Sequence, residues 1–303
     1  MPNAQSFAEP PTVSVVVPFY GMDVTALRTC VESLLDQDYP KDRVTIVVVD
    51  NNEIPILAAA LFGERCTIVH EPLLGSYAAR NRGISESSGE IIAFTDSDCI
   101  PQRSWISAGV DALKAAADPA MIGGAIVFGS VGHNAKTASE RLDSIIHHRQ
   151  SEYISEQRFA ATANLFVKRE LFSRYGQFDA RFLAGGDREF GQRLSAAGVA
   201  ITMAKDAVVV HPPRTRFADL LQKNLRGPGS DKTFLSLAGR SSPWAVCRVQ
   251  IETYLHRRRL IAKRAKGLGP YRLIELHALL MMIYAARFLE SIRIVFGGNP
   301  RRA

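Results

Sequence analysis

Two aspartates two residues apart, Asp96 and Asp98, close the segment GEIIAFTDSDC, where an apolar run ends and the chain turns polar. Carboxylates at that spacing can reach one cation together. Their hard oxygens suit Mg2+ or Mn2+, ions that in turn bridge a diphosphate. Asp50 ends the run IVVV in the same way, although a lone acidic residue at such a place is most often a cap or a turn. Asp187, in FLAGGDREFGQRL, stands just ahead of a helical pattern over Glu189–Ala197. There it can cap the helix, accept a proton as a general base, or do both. Glu189 is a rival base, and also sits four residues from Arg193, the spacing of a helical ion pair. His211 ends VVVH before a Pro-Pro pair, open to a hydrogen-bonding or a ligating role. Arg226 precedes Gly227-Pro228-Gly229 and is a candidate clamp for a diphosphate on a loop able to close.

These residues need a scaffold that brings strand ends together. Thr12–Phe19 and Arg43–Asp50 are β-branched runs that read as strands buried on both faces, with a helix over Val24–Leu35 between them. The alternation continues with a helix at Ile56–Phe62, a strand at Cys66–His70, a helix at Tyr77–Glu86 and a strand at Ile91–Thr95. A helix at Ile106–Ala117 and a strand at Met121–Phe128 follow. Such a rhythm implies an α/β fold with a mostly parallel central sheet and helices on both faces. In such sheets ligands bind beyond the carboxyl ends of the strands, where Asp50, Asp96 and Asp98 fall. Beyond Gly132 the pattern predicts a helix at Glu140–Tyr153, an extended run at Ala160–Val167, and short strands at Ala200–Met203 and Ala207–Val210. From His211 onward only basic helices are expected.

The chain has 303 residues and a net charge of +7, from 37 Lys+Arg against 30 Asp+Glu. From Lys205 to the end there are 19 basic residues against 6 acidic, which leaves 18 against 24 before it. An acidic body with a basic C-terminal part seeks phosphate in a nucleotide or an anionic lipid leaflet. No aromatic interleaving or reading motif supports nucleic acid as the partner. Four widely spaced cysteines exclude a disulfide scaffold and a zinc ribbon. No signal peptide is expected from the first residues given, and no apolar run approaches the roughly 20 residues of a membrane span. A cytoplasmic protein, at the inner face of a membrane if the tail binds lipid, is expected.

Six motifs occur in order: VSVVVPFYG, VVVDNNE, GSYAARNRGI, GEIIAFTDSDC, TANLFVKRELF and FLAGGDREFGQRL. Together they resemble the inverting family 2 glycosyltransferases of the GT-A fold, over about residues 11–211. The resemblance implies a GT-A catalytic domain at 11–211 and a helical extension at 212–303. It further implies that Pro18 and Tyr20 border the nucleotide, that Asp50 bonds its base or ribose, and that Arg80 and Asn81 flank the nucleotide-sugar. Asp98 would ligate the metal directly, with Asp96 and His211 beside it. Asn164 would line the acceptor side with Glu189, and Asp187 would be the general base. One departure stands out: the family's usual Glu-Asp is here Gly186-Asp187, which removes a carboxylate that often contacts acceptor hydroxyls.

The expected activity is therefore a metal-dependent, inverting, hexosyl-type transfer from a nucleoside diphosphate-sugar to an acceptor hydroxyl. The acceptor is a lipid-linked molecule or a saccharide, in glycan or glycolipid synthesis. The Gln-x-x-Arg-Trp of processive synthases is missing, which favours one or few sugars per acceptor. The alternative is a nucleotide-sugar-binding scaffold that kept the fold without the chemistry. In the tail, HRRRL (256–260) and the apolar-rich stretch after Pro270 form either a peripheral membrane contact or a packing face against the body or a second subunit.

Overall fold

The computed structural model describes residues 9–129, 136–147, 149–240, 242 and 244–301, in two compact units. The first comprises residues up to Val127, Arg149–Ala180 and Gly186–His211; the second comprises Phe128–His148, Arg181–Gly185 and everything from Pro212.

The first unit holds β1 (Val13–Phe19), α1 (Thr25–Leu35), β2 (Val44–Asp50), β3 (Cys66–His70), α2 (Ser76–Glu86), β4 (Ile91–Thr95), β5 (Ile100–Pro101), α3 (Trp105–Ala115) and β6 (Ala120–Phe128). After α4 (Ala138–Ile146), which belongs to the second unit, it resumes with α5 (Gln150–Gln157), β7 (Asn164–Lys168), α6 (Arg169–Tyr175), α7 (Gly186–Ala196) and β8 (Ala200–His211). The strands form one sheet in the order β3-β2-β1-β4-β7-β6-β8-β5. Strands β3, β2, β1 and β4 run parallel, in register from Val13 opposite Val44 to Phe19 opposite Asp50. β7 is antiparallel to both β4 and β6, and β5 is antiparallel to β8. The Val- and Ile-rich strands bury both faces, as parallel strands under helices must. Their core continues into Leu27, Val31, Trp105, Ile106 and Phe166. All four cysteines are free and buried.

Three local expectations are corrected. Ile56–Phe62 forms turns rather than a helix. The Asp50 carboxylate captures the amides of Ile56 and Leu57, which fixes the backbone in a loop. The helix expected over Glu140–Tyr153 is two helices. A Thr137–Glu140 capping box starts α4, and His147, its ring held by Asp143, leaves helical geometry at the end. The two short strands after Ala200 are one strand, β8.

The second unit adds α8 (Phe217–Leu225), α9 (Gly227–Leu237), α10 (Ala245–Arg264) and α11 (Pro270–Val295). Its core joins Leu142, Ile145 and Ile146 of α4 to Leu220, Leu260, Ile261, Leu276, Leu280 and Ile283. At its centre the buried guanidinium of Arg287 reaches Gln250, Asp231 and the carbonyl of Asn224. No helix among the described residues is long and apolar enough to cross a membrane.

Candidate active site

Strand β4 ends in the fully buried Thr95, so Asp96 and Asp98 leave the sheet at its carboxyl edge, half-exposed. His211 ends β8 and is buried, with its Nε2 3.9 Å from Asp98 Oδ1. Ligand atoms of Asp96, Asp98, Cys99 and His211 all lie within 4.8 Å of one another. Burial, and the charges of Asp98 and Asp96, push the Cys99 thiol well above its ordinary range. Its Sγ lies 3.8 Å from Asp98 Oδ1. The two carboxylates and the imidazole of this cluster are a donor set that fits Mn2+ or Mg2+.

Behind this edge runs a chain of polar contacts. Arg80, buried in α2, pairs with Asp96 at 2.5 Å, and its Nε has no partner. The same guanidinium lies 5.5 Å from the centre of the Tyr77 ring, one turn earlier. Tyr77 donates its hydroxyl to Asp187 Oδ1 at 3.1 Å. The Arg188 amide donates to the same oxygen at 2.9 Å. Asp187 thus sits in the first turn of α7. Burial raises its pKa above the ordinary value, and the Arg80 charge and the Tyr77 and backbone hydrogen bonds offset this only in part. A carboxylate poised upward and held by a fixed donor is equipped to take a proton. Below it, Tyr77, Phe94, Phe172, Phe178 and Phe190 pack ring against ring, which fixes α2 and α7 together.

Gly186 explains the missing Glu in the Gly-Asp pair. A Cβ at this position would meet the Tyr77 ring at 2.8 Å, so the tyrosine occupies the space a side chain would need. Neither Tyr77 nor Cys99 was among the residues singled out from sequence. Tyr77 was findable: it lies three residues before Arg80 on one helix, the spacing that puts two side chains on one face.

Other expected site residues are placed differently. Asn164 is fully buried: its amide donates to the carbonyls of Ala125 and Ala207 and accepts from Trp105 Nε1, at 2.8 to 2.9 Å. With its groups spent on stapling β6, β7 and β8, it does not line a surface for an acceptor. Asp50 accepts four hydrogen bonds, from the Asn52 amide and side chain and from the Ile56 and Leu57 amides. Burial would raise its pKa, but these bonds outweigh it and hold the carboxylate below the ordinary range. In this conformation no lone pair remains for a ribose. Asn81 spends both amide atoms on the backbone of Phe178. Glu189 is gripped by Arg193 through two bonds, at 2.7 and 3.1 Å. Pro18 lies near the end of β1 and Tyr20 stands exposed just after it. Arg226 joins α8 to α9 in the second unit.

Residues 14–176 match the family described as Glycosyl transferase family 2. The chain is 35% identical over 222 residues to Glycosyltransferase AglE of Haloferax volcanii, covering 71% of each. It is 29% identical over 227 residues to the Pre-mycofactocin glycosyltransferase of Mycobacterium tuberculosis, covering 72% of this chain but only 46% of that protein. In structure it resembles the mannosyltransferase PcManGT of Pyrobaculum calidifontis, solved with GDP-Man and Mn2+, at a TM-score of 0.56. That likeness spans 93% of this chain and 88% of the other, at 19% identity.

Proposed function

The chain belongs to glycosyl transferase family 2 and has a GT-A-like fold, and from that premise we propose that it transfers a hexosyl group, with inversion, from a nucleoside diphosphate-sugar to an acceptor hydroxyl. The observation that carries this is the clustering of Asp96, Asp98 and His211 at one sheet edge, linked through Arg80 and Tyr77 to a raised Asp187 carboxylate. Asp98, Asp96 and His211 would hold a divalent cation. When bound, such an ion offsets the charge that gathers on a departing diphosphate.

Asp187 takes the proton of the acceptor hydroxyl as its oxygen attacks the anomeric carbon. The bond from that carbon to the diphosphate breaks, and the electron pair leaves with the nucleotide. One displacement with no protein nucleophile inverts the centre. Arg80, paired with Asp96, sets a fixed cation behind the carboxylates that would hold the ion. We place one or few transfers per acceptor, and a cytoplasmic site of action, in the same reading.

The test is calorimetric titration with nucleoside diphosphate-sugars, with and without Mn2+. GDP-mannose comes first, because the structural relative holds it. Donor binding that needs Mn2+ in the wild type and is lost in Asp98→Ala is the expected result. Binding indifferent to both overturns the assignment of the metal site.

A further inference from the structure

The outer face of α11 carries no charge along most of its length. Tyr271, Ile274, Met281, Met282, Leu289 and Phe296 recur at the spacing of one helical face, from 52% exposed at Met282 to 79% at Tyr271. Exposed Ala278 and Ala285 fill the intervals. Scattered apolar residues on a surface are ordinary, but a ridge of this length is not. Helix α10 packs alongside: Tyr254 meets Tyr284, and Arg257 lies over the Tyr284 ring. Arg258 stacks on Tyr254, close enough to His277 to help burial lower its pKa. The outer side of α10 therefore adjoins α11, and it presents exposed Ile251 and Leu255 together with exposed Arg259 and Lys263, Lys266 following just beyond.

Charge decides what covers this face. Every carboxylate on the two helices is paired: Glu252 with Arg248, Glu275 with Arg141, and Glu290 with Arg293. An isologous contact with a second copy would set two cationic rows near each other. A nucleic acid would match the cations and leave the apolar ridge bare.

We propose that the outer face of α10 and α11 is a docking surface for an anionic lipid leaflet, with α11 lying in the interface plane. The apolar ridge enters the acyl boundary while Arg259, Lys263 and Lys266 meet headgroup phosphates. This surface lies wholly in the second unit and does not depend on the donor chemistry proposed above.

Co-sedimentation of the full chain with vesicles tests it, using phosphatidylcholine alone and an equal mixture with phosphatidylglycerol. Wild-type protein should pellet with the anionic vesicles, and weaken as salt shortens the screening length from about 10 Å at 0.1 M to about 3 Å at 1 M. Each cation near such a surface is worth about fivefold, so Arg259→Glu, Lys263→Glu and Lys266→Glu together should cut binding by about a hundredfold or more. Ile274→Asp with Leu289→Asp should remove it. These side chains are exposed, so thermal melting should be little changed. The lipid and salt arms use only wild-type protein and do not rely on the variants folding. Equal binding to both vesicle types, or none to the anionic ones, overturns the proposal. Light scattering that shows a dimer abolished by the aspartate pair, without vesicle binding, assigns the face to a second copy instead.

Discussion

Asp187 differs from Asp50 in what surrounds it, and that difference separates a base from a brace. Asp50 spends four acceptor positions on its own loop and is held ionised. Asp187 is raised by burial, with the Tyr77 hydroxyl pulling the other way. Asp187→Asn should therefore bind donor normally and lose about 10²–10⁴-fold in transfer, read from turnover beside calorimetry. Catalysis needs the ionised form, so kcat/KM should fall as pH drops through the raised pKa, with its acid limb above the ordinary carboxylate value. Tyr77→Phe removes a bond that favours the ionised form, so the limb should move to still higher pH. A limb that stays in place would assign Tyr77 to packing alone.

Elements decide where such residues point, and here sequence and structure part in instructive places. The strands were legible because β-branched runs ended by turn chemistry have few other readings; β1, β2 and β4 fall within a residue or so of expectation. Asp96, Asp98 and His211 were legible for the same reason, since each ends such a run. Asn164 was not, because nothing in TANLF says that its amide will meet carbonyls 39 and 43 residues away. Nor does the chain near Asp50 reveal that its carboxylate will override the helical pattern at Ile56. Asn164→Ala should leave Trp105 Nε1 and two carbonyls unpaired and destabilise the chain by about 3 kcal/mol, measured by denaturant unfolding. Gly186→Glu should cost about 1–3 kcal/mol through its clash with the Tyr77 ring. Tyr77→Ala in the same chain should recover most of that loss, a coupling that a double-mutant cycle measures.

At the scale of the whole molecule, composition announced an acidic part and a basic part, and the two compact units broadly follow that divide. It could not reveal that 128–148 and 181–185 join the C-terminal helices, because membership of a core depends on packing partners distant in sequence. Within the second unit, the buried Asp143 is held far below its ordinary pKa. Burial opposes this, but the His147 hydrogen bond and the Lys223 and Arg214 charges outweigh it. A depressed folded-state pKa gives stability that is present above the unfolded value, near pH 4, and lost as pH falls below it. Asp143→Asn should thus destabilise the protein at pH 7, and the gap to wild type should narrow on acidification, read from urea midpoints at pH 7 and pH 3.

The four buried cysteines carry a practical consequence. Burial lifts every thiol above its ordinary range, Cys66 to about 11, so almost none is present as the nucleophilic thiolate at neutral pH. The native protein should therefore be nearly silent toward maleimide dyes while folded. A single cysteine placed at the exposed Met282 would be the one fast-reacting handle, and a polarity-sensitive label there would report how deeply the helix enters a bilayer. A second at the exposed Met22, in the other unit, would make a donor–acceptor pair whose energy transfer gives the spacing of the two units in solution, with and without nucleotide-sugar.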